Sequence, residues 1–396
     1  MLILAWFFAP DINGGVYRPA ALARNARDRG YRVTVVAGPV QADPGDAGKD
    51  LLAYIGPGVE IIRAPLQWPR PDSRWFPQID GGLDRALDLY ATARTHLRQS
   101  PPDIIVASGP PFQVFVTGRW LARRFGARLV LDYRDEWSLC PFDFVFKSAA
   151  GRRWEKRCLR SADRVLFTTD SQLQMLARTM GGPWLREKSR LAPNGWEPAQ
   201  HGLDSPVQRT ASGRIVLLFA GTLGEHTNVQ PFLDALERIV SQRPEWTKAL
   251  VVRFLGHMWP SEMRRLEHFR YPEMIDIGEL VPLAEAVRQM RDADALLLFH
   301  DDRIARYLPG KLYEYLASGR PVIVCNDHGE SKRLVETLGA GWAIDCADTS
   351  RLTQILASLM DRSANSMDGA SRQAWLRRHT REALAKDVLD DLSTLL

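Results

Sequence analysis

The sequence predicts an α/β protein made of two doubly wound, parallel-sheet domains in tandem, and three observations predict it. Short apolar runs alternate with helix-periodic segments along nearly the whole chain, as expected for strands buried on both faces between covering helices. One polar, aperiodic stretch at 198–213 carries Pro, Gly and Ser and reads as a linker, after which the alternation restarts. The chain has 396 residues, more than one hydrophobic core accommodates.

In the first half, Leu2–Phe8 reads as a strand. The Asn13-Gly14-Gly15 turn leads into a helix over Val16–Arg29. Arg32–Ala37, Val59–Arg63, Asp103–Ala107, Arg128–Asp132 and Arg164–Thr168 read as further strands. Leu83–Arg98, Gln113–Phe125, Gly151–Arg160 and Ser171–Met180 read as helices. In the second half the strands are Ile215–Ala220, Val251–Leu255, Ile275–Ile277, Ala295–Phe299, Pro321–Cys325 and Trp342–Ile344, and the tail from about Ala370 is one long helical pattern. The expected domains are 1–200 and 201–374, with the helix 375–396 joining the first. Ligands of such sheets bind at the carboxyl ends of the strands.

Composition is ordinary for a globular chain, with 45% hydrophobic and 25% charged residues. The apolar opening Leu2–Ala9 is too short to span a bilayer and lacks the flanks of a signal peptide. Cys140, Cys158, Cys325 and Cys346 show no CxxC spacing. Reduced thiols in a cytoplasmic protein are therefore expected, and a metal site is not. The net charge of +5 is concentrated in the first 200 residues, which hold 28 Lys and Arg against 20 Asp and Glu. That imbalance suits an anionic partner.

The stretch Pro309-Gly310-Lys311-Leu312-Tyr313-Glu314 through Gly319 is the most informative. It reads as a helix opened by Pro309 and Gly310 and closed by Gly319 in a left-handed cap. The open N–H groups of Gly310, Lys311 and Leu312 would attract an anion, and Lys311 adds a full charge. Glu314 lies one turn further along roughly the same face. A capped helix with a solvated Lys–Glu pair is the plain alternative. A phosphate and ribose site is the functional one.

Gly221-Thr222-Leu223-Gly224 follows the strand Ile215–Ala220 and offers a second glycine turn near that helix start. Asp132-Tyr133-Arg134-Asp135-Glu136-Trp137 closes another strand. It is either a site or a structural pair of Arg134 with Asp132 or Asp135. Arg303 and Arg306 precede Pro309 and could meet a phosphate. His257 and His300 end strands and stay in view. Arg152, Arg153, Lys156, Arg157 and Arg160 around Trp154, with Arg119, Arg123 and Arg124 beside Trp120, form basic helical faces. They are either solvated or docked on an anionic membrane surface. No nucleic-acid reading motif accompanies them.

These residues together resemble the GT-B-type retaining glycosyltransferases of the large family-four group (glycosyl transferases group 1), over essentially the whole chain. The marks are Gly14-Gly15, Pro193-Asn194-Gly195, Gly221-Thr222-Leu223 and Lys311-Leu-Tyr-Glu314-Tyr-Leu-Ala-Ser-Gly319-Arg-Pro321. The Asp132–Trp137 string looks like a bacterial variant. The resemblance implies two Rossmann-like domains facing across a cleft. It implies donor contacts from Gly14, Gly15, Gly221, Thr222 and Gly256, with the Ile277–Val281 segment near the base. Pyrophosphate would lie on Gly310, Lys311 and Leu312, and ribose on Glu314. The family's first Glu of its EX7E motif is Arg306 here, its usual Arg and Lys are replaced around Glu225, His226 and Asn228, and Asp135 stands near its N-domain histidine. Catalytic candidates are then Lys311, Asp135 and Arg306.

The implied activity is retaining sugar transfer from a nucleotide-diphosphate sugar, with no cofactor and no metal, for polysaccharide, lipid-linked glycan or natural-product biosynthesis. The protein is expected to be cytoplasmic and peripheral on the inner membrane face. A sugar-nucleotide 2-epimerase, a non-catalytic relative that binds a sugar nucleotide or partner enzyme, and an enzyme coupling pseudo-sugar units are the alternatives.

Overall fold

The computed structural model describes residues 1–41, 45–67, 78–200, 213–224, 226–361 and 369–396. Most of the expected linker 198–213, and Glu225, lie outside them. The chain divides into two compact units, Met1–Asn194 with Arg381–Leu396, and Gly195–Thr380.

Among the described residues, the first unit contains β1 (Leu2–Ala5), β2 (Val33–Ala37), β3 (Val59–Arg63), β4 (Ile104–Gly109), β5 (Arg128–Tyr133), β6 (Arg164–Phe167) and β7 (Ser189–Leu191). They form one sheet in the order β3-β2-β1-β4-β5-β6-β7, and every pair is parallel. All four residues of β1 are buried because both faces of the sheet are covered. Leu2 and Leu4 share a core with Leu89 and Phe115, while Ile3 and Ala5 share the other with Ala20, Ala23 and Leu389. That two-sided burial is why the sequence shows an apolar run and not a strict alternation.

The second unit repeats this scheme with β8 (Ile215–Ala220), β9 (Leu250–Leu255), β10 (Ile275–Gly278), β11 (Ala295–Phe299), β12 (Val322–Cys325) and β13 (Gly341–Ile344). Among the described residues the order is β10-β9-β8-β11-β12-β13, all parallel. Connections leave in opposite directions from β1 and β4 in the first sheet, and from β8 and β11 in the second. The crevice at such a reversal, outside the carboxyl ends of the strands, is where this architecture binds ligands.

Three expectations need correction. The tail is two helices, Gly369–Arg378 and Arg381–Ser393, not one. The break falls at His379-Thr380, where Trp196 N–H donates to His379 O (3.2 Å) and Trp196 pairs with Thr380 in a bridge. Capture of that backbone by Trp196 competes with continuation of the helix. Second, Cys325 and Cys346 are joined in a disulfide, with Cα atoms 5.2 Å apart, so four reduced thiols do not describe this chain. Cys325 ends β12 opposite Ile344 of β13, and Cys346 lies just beyond. Sheet register brings together two residues that a helical crossover separates in sequence. Third, the segment expected as a helix over Ser171–Met180 is helical over Asp170–Leu176 and then widens to a π-turn over Ala177–Gly181. The helix Gly45–Ile55, which buries Gly48, Leu51 and Ile55 on one face, and the short strand β7 add to the expected elements.

Candidate functional site

In the second unit, the ends of β8 and β9 meet the start of the helix Gly310–Ser318. Gly221 N–H donates to Leu255 O (2.8 Å) and Leu223 N–H to His257 O (2.9 Å), so the two strands stay paired into their loops. Gly221 and Gly256 have φ of 130° and 121°, values that side-chain-bearing residues rarely adopt. A Cβ on Gly256 would stand 2.5 Å from Gly221 O, and a Cβ on Gly221 would stand 2.8 Å from Lys311 Nζ. Gly256 is therefore required by close backbone approach as well as by conformation, and Gly221 by its conformation. Thr222 is exposed beside them.

Pro309 is the N-cap residue of the helix with φ −65°, and Gly319 closes it at φ 82° in the left-handed region, as the sequence implied. No side chain caps the helix start. Leu312 N–H already donates to Pro309 O (2.9 Å), which corrects the expectation of three open amides. Gly310 and Lys311 N–H have no hydrogen-bond partner among the described residues, and a Cβ on exposed Gly310 would meet nothing within 4 Å. Lys311 Nζ lies 4.2 Å from the centroid of the Phe219 ring. Burial pushes its pKa down to about 8, still above neutrality, so the ammonium persists at pH 7.

Tyr315 fixes this helix against β8. Its hydroxyl accepts from Ala220 N–H (2.8 Å) and lies 3.2 Å from Ala220 O. Glu314 is buried on the same helix, with 8% of its surface exposed. Arg306 donates from Nη1 to Arg303 O (2.8 Å) and lies 5.2 Å from the Tyr307 ring centroid. Arg303 pairs with Asp301 at 2.9 Å. Ile277 and Leu280, in the expected base segment, are 38% and 79% exposed.

In the first unit, Gly15 N–H donates to Asn13 Oδ1 (2.9 Å), which shapes the glycine turn. Gly14 is open, whereas Gly15 is covered by the Arg134 guanidinium. Arg134 does not pair with Asp132. It donates to the carbonyls of Gly15, Gly109 and Pro110, tying the glycine turn to the end of β4. Asp132 instead pairs with Arg18 (2.7 Å) and accepts from Ser108 Oγ (2.8 Å). Asp135 is half-buried, and burial raises its carboxyl to about 6 against the opposing pull of Arg134. Trp137 is fully buried and stacks on Phe112 at 5.3 Å, anchoring the loop that carries Asp135.

Thus Gly221, Gly256, Gly310 and Lys311 converge in the second unit, while Gly14, Gly15 and Asp135 belong to the first. Residues 13–195 match the glycosyl transferase 4-like domain and residues 214–362 match glycosyl transferases group 1. The chain belongs to the group 1 glycosyltransferase family. No curated protein sequence matches it. Similar solved structures include HepE of Anabaena in complex with UDP, at TM-score 0.68 and 16% identity over 99% of each chain. Sucrose-phosphate synthase of Thermosynechococcus elongatus aligns at 0.66 and 14% over 100% of this chain and 98% of that one. A glycosyltransferase of Rickettsia africae aligns at 0.70 and 10% over 98% and 97%. At such identities the likeness is one of fold, GT-B with two Rossmann-like domains.

Arg134 as a clamp, Phe219 beneath Lys311 and the Tyr315 bond were missed in the sequence. Only Tyr315 left a signal, an aromatic inside a helix motif. Arg134 was seen, but its charge suggested a carboxylate partner and not three carbonyls.

Proposed function

We propose that this group 1 glycosyltransferase moves a sugar from a nucleotide-diphosphate sugar to an acceptor with retention at the anomeric carbon. The observation that carries the reading is the helix start at Gly310 and Lys311, where two open amides and a half-buried ammonium converge beside the Gly221 backbone. As the bond between the anomeric carbon and the phosphate oxygen breaks, its electron pair moves onto the diphosphate. Fixed N–H dipoles and Lys311 meet that charge without reorganising. The acceptor hydroxyl forms the new bond to the anomeric carbon, and its proton passes to the departing phosphate oxygen. On this reading the leaving group is stabilised by Lys311 and the helix amides, with no metal required. Glu314 holds the ribose hydroxyls. HepE was crystallised with UDP, and also with UDP-glucose, which makes a uridine donor the first to try.

Glu314→Ala tests this. Loss of hydrogen bonds to a charged acceptor costs about 1.5–3 kcal/mol, so donor affinity in a calorimetric titration should fall roughly 10- to 150-fold. Unchanged affinity in a folded variant would remove the ribose assignment. Product analysis without acceptor separates transfer from epimerisation, because an epimerase releases free sugar or nucleotide unaided.

Among glycan, lipid-linked and natural-product acceptors, the reading favours an anionic, lipid-linked carrier, supported by the basic aromatic faces of the first unit. Tyr90, Trp120 and Trp154 run edge to face across three helices of the first unit with successive centroids 5.9 Å apart. Arg119 and Arg157 lie 5.9 and 5.3 Å from the Trp154 ring. Phe144 is 68% exposed and stacks on Phe142. Aromatic rings flanked by arginine suit the headgroup region of an anionic bilayer. No helix among the described residues is long and apolar enough to cross a membrane. Sedimentation with vesicles containing phosphatidylglycerol should occur at low salt and be reversed by high salt. Arg123→Glu with Arg124→Glu should abolish it, and retention by that double variant would exclude this face.

A further inference from the structure

Beyond the helix start, the second unit has a separate open cavity of about 360 Å3 at the carboxyl ends of β11, β12 and β13. This is within the size range of small-molecule sites, about 300–1,000 Å3. Its rim carries Asp301, Asp302, Asp327 and Asp345, and its wall includes the Cys325–Cys346 disulfide. Asn326 is rigidly held there, donating from Nδ2 to His300 O and to Asp302 Oδ1, both at 2.9 Å, and accepting from His328 N–H. His300 also lines the cavity and is 5% exposed. Its Nδ1 lies 3.3 Å from Ser331 Oγ, whereas Nε2 is buried with no hydrogen-bond partner. An unpaired buried ring nitrogen is costly unless a ligand or water completes it. Burial, with Lys311 nearby, pushes the ring pKa down to about 4, so His300 is neutral. In a neutral ring one nitrogen donates and the other accepts, so whichever role Nδ1 takes with Ser331 Oγ, Nε2 retains one hydrogen bond to make.

The wall selects against anions. Four carboxylates face the space. Of these, Asp301 is engaged by Arg303 (2.9 Å), and Asp327 and Asp302 lie 3.1 and 3.5 Å from His328 ring nitrogens. Asp345 Oδ1 accepts from Ala347 N–H (2.9 Å). The carboxylates are dispersed, and no three His, Cys, Asp or Glu among the described residues are grouped to hold a metal ion. Scattered carboxylate acceptors with one deep unpaired ring nitrogen fit an extended ligand bearing hydroxyls and an ammonium better than a single ion. We infer that this cavity binds an amino sugar, with His300 Nε2 hydrogen-bonded to a ring hydroxyl and the rim aspartates receiving the amine. The site does not depend on the donor reading above.

Calorimetric titration of the intact protein with glucosamine, glucose and glucuronate tests it. Glucosamine should saturate, at least about fivefold tighter than glucose, with no glucuronate binding to roughly 50 mM. Asp345→Asn should weaken glucosamine at least about threefold and leave glucose unchanged, since the ammonium contact is what it alters. Asp302→Asn should weaken glucosamine by at least as much, with circular dichroism checking the Asn326 contact it also touches. His300→Asn should weaken both sugars, with circular dichroism checking its fold. Glu314→Ala should leave glucosamine binding intact, which separates this site from the ribose site. If the amine belongs to the donor, UDP-glucosamine will bind tighter than UDP and will exclude free glucosamine. If it belongs to a separate ligand, UDP-glucosamine and glucosamine will bind together. Absence of saturable glucosamine binding, equal binding of glucuronate, or full retention in both aspartate variants would overturn the inference.

Discussion

Lys311→Met is expected to weaken binding of UDP by roughly 10- to 100-fold, the loss of one charge-assisted contact to a phosphate. The same change should leave the protein no less stable. Lys311 Nζ sits against Phe219 and the Gly221 backbone, and burial brings its pKa down to about 8. A lysine whose folded pKa is below its unfolded value of about 10.4 disfavours folding when charged. That penalty is fully present below pH 8 and is relieved as pH rises from 8 toward 10.4. A methionine of similar length avoids it. Binding has the opposite dependence, because the diphosphate needs the ammonium. UDP affinity should therefore fall as pH rises above 8 in the parent protein, and stay flat over the same range in Lys311→Met. Calorimetry at pH 7 and pH 9.5 reads both. A parent protein with no loss of affinity at the higher pH would show that Lys311 does not touch the phosphates.

Much of this site could be seen in the sequence because local rules make it. Pro309 at the N-cap, Gly310 at the first turn and Gly319 at the left-handed cap are short-range signals, and the structure has all three. The two-domain α/β plan was equally legible, since buried parallel strands must be apolar runs. What escaped depends on register between distant strands. Lys311 meets Gly221 and Phe219 only because β8 and β11 are neighbours. Cys325 finds Cys346 only because β12 and β13 are in register. Arg134 chooses carbonyls of Gly15 and Gly109 because β1 and β4 end side by side. Asp132 was then left for Arg18, a partner 114 residues away. Charge type predicted that these groups would be paired, while topology decided with whom.

Glu155→Gln should make the first unit more stable at pH 8 and flatten its loss of stability between pH 5 and pH 8. Glu155 is fully buried. It accepts from Ser138 N–H (3.1 Å) and lies 3.3 Å from Tyr133 Oη. Burial raises its carboxyl to about 7, despite those hydrogen bonds, and neighbouring Glu136 adds to the rise. Between the unfolded value of about 4.3 and the folded value the native state holds the extra proton, so stability falls as pH climbs through that window and is flat above it. The difference amounts to about 3 kcal/mol as an order of magnitude. Asp135, raised to about 6, contributes in the same direction at slightly lower pH. Glutamine keeps the shape and the acceptor for Ser138 N–H and never ionises. At pH 8 the melting temperature should rise by several degrees, about 2–4 °C per kcal/mol for a unit of this size, and the gap between variant and parent should close as pH falls to about 4. Carboxylates elsewhere that titrate below pH 4 cancel in the comparison. If the variant is less stable than the parent at pH 8, Glu155 is an ionised acceptor whose charge the loop requires. In that case the strand-end loop that presents Asp135 is held by charge and not by a neutral carboxyl.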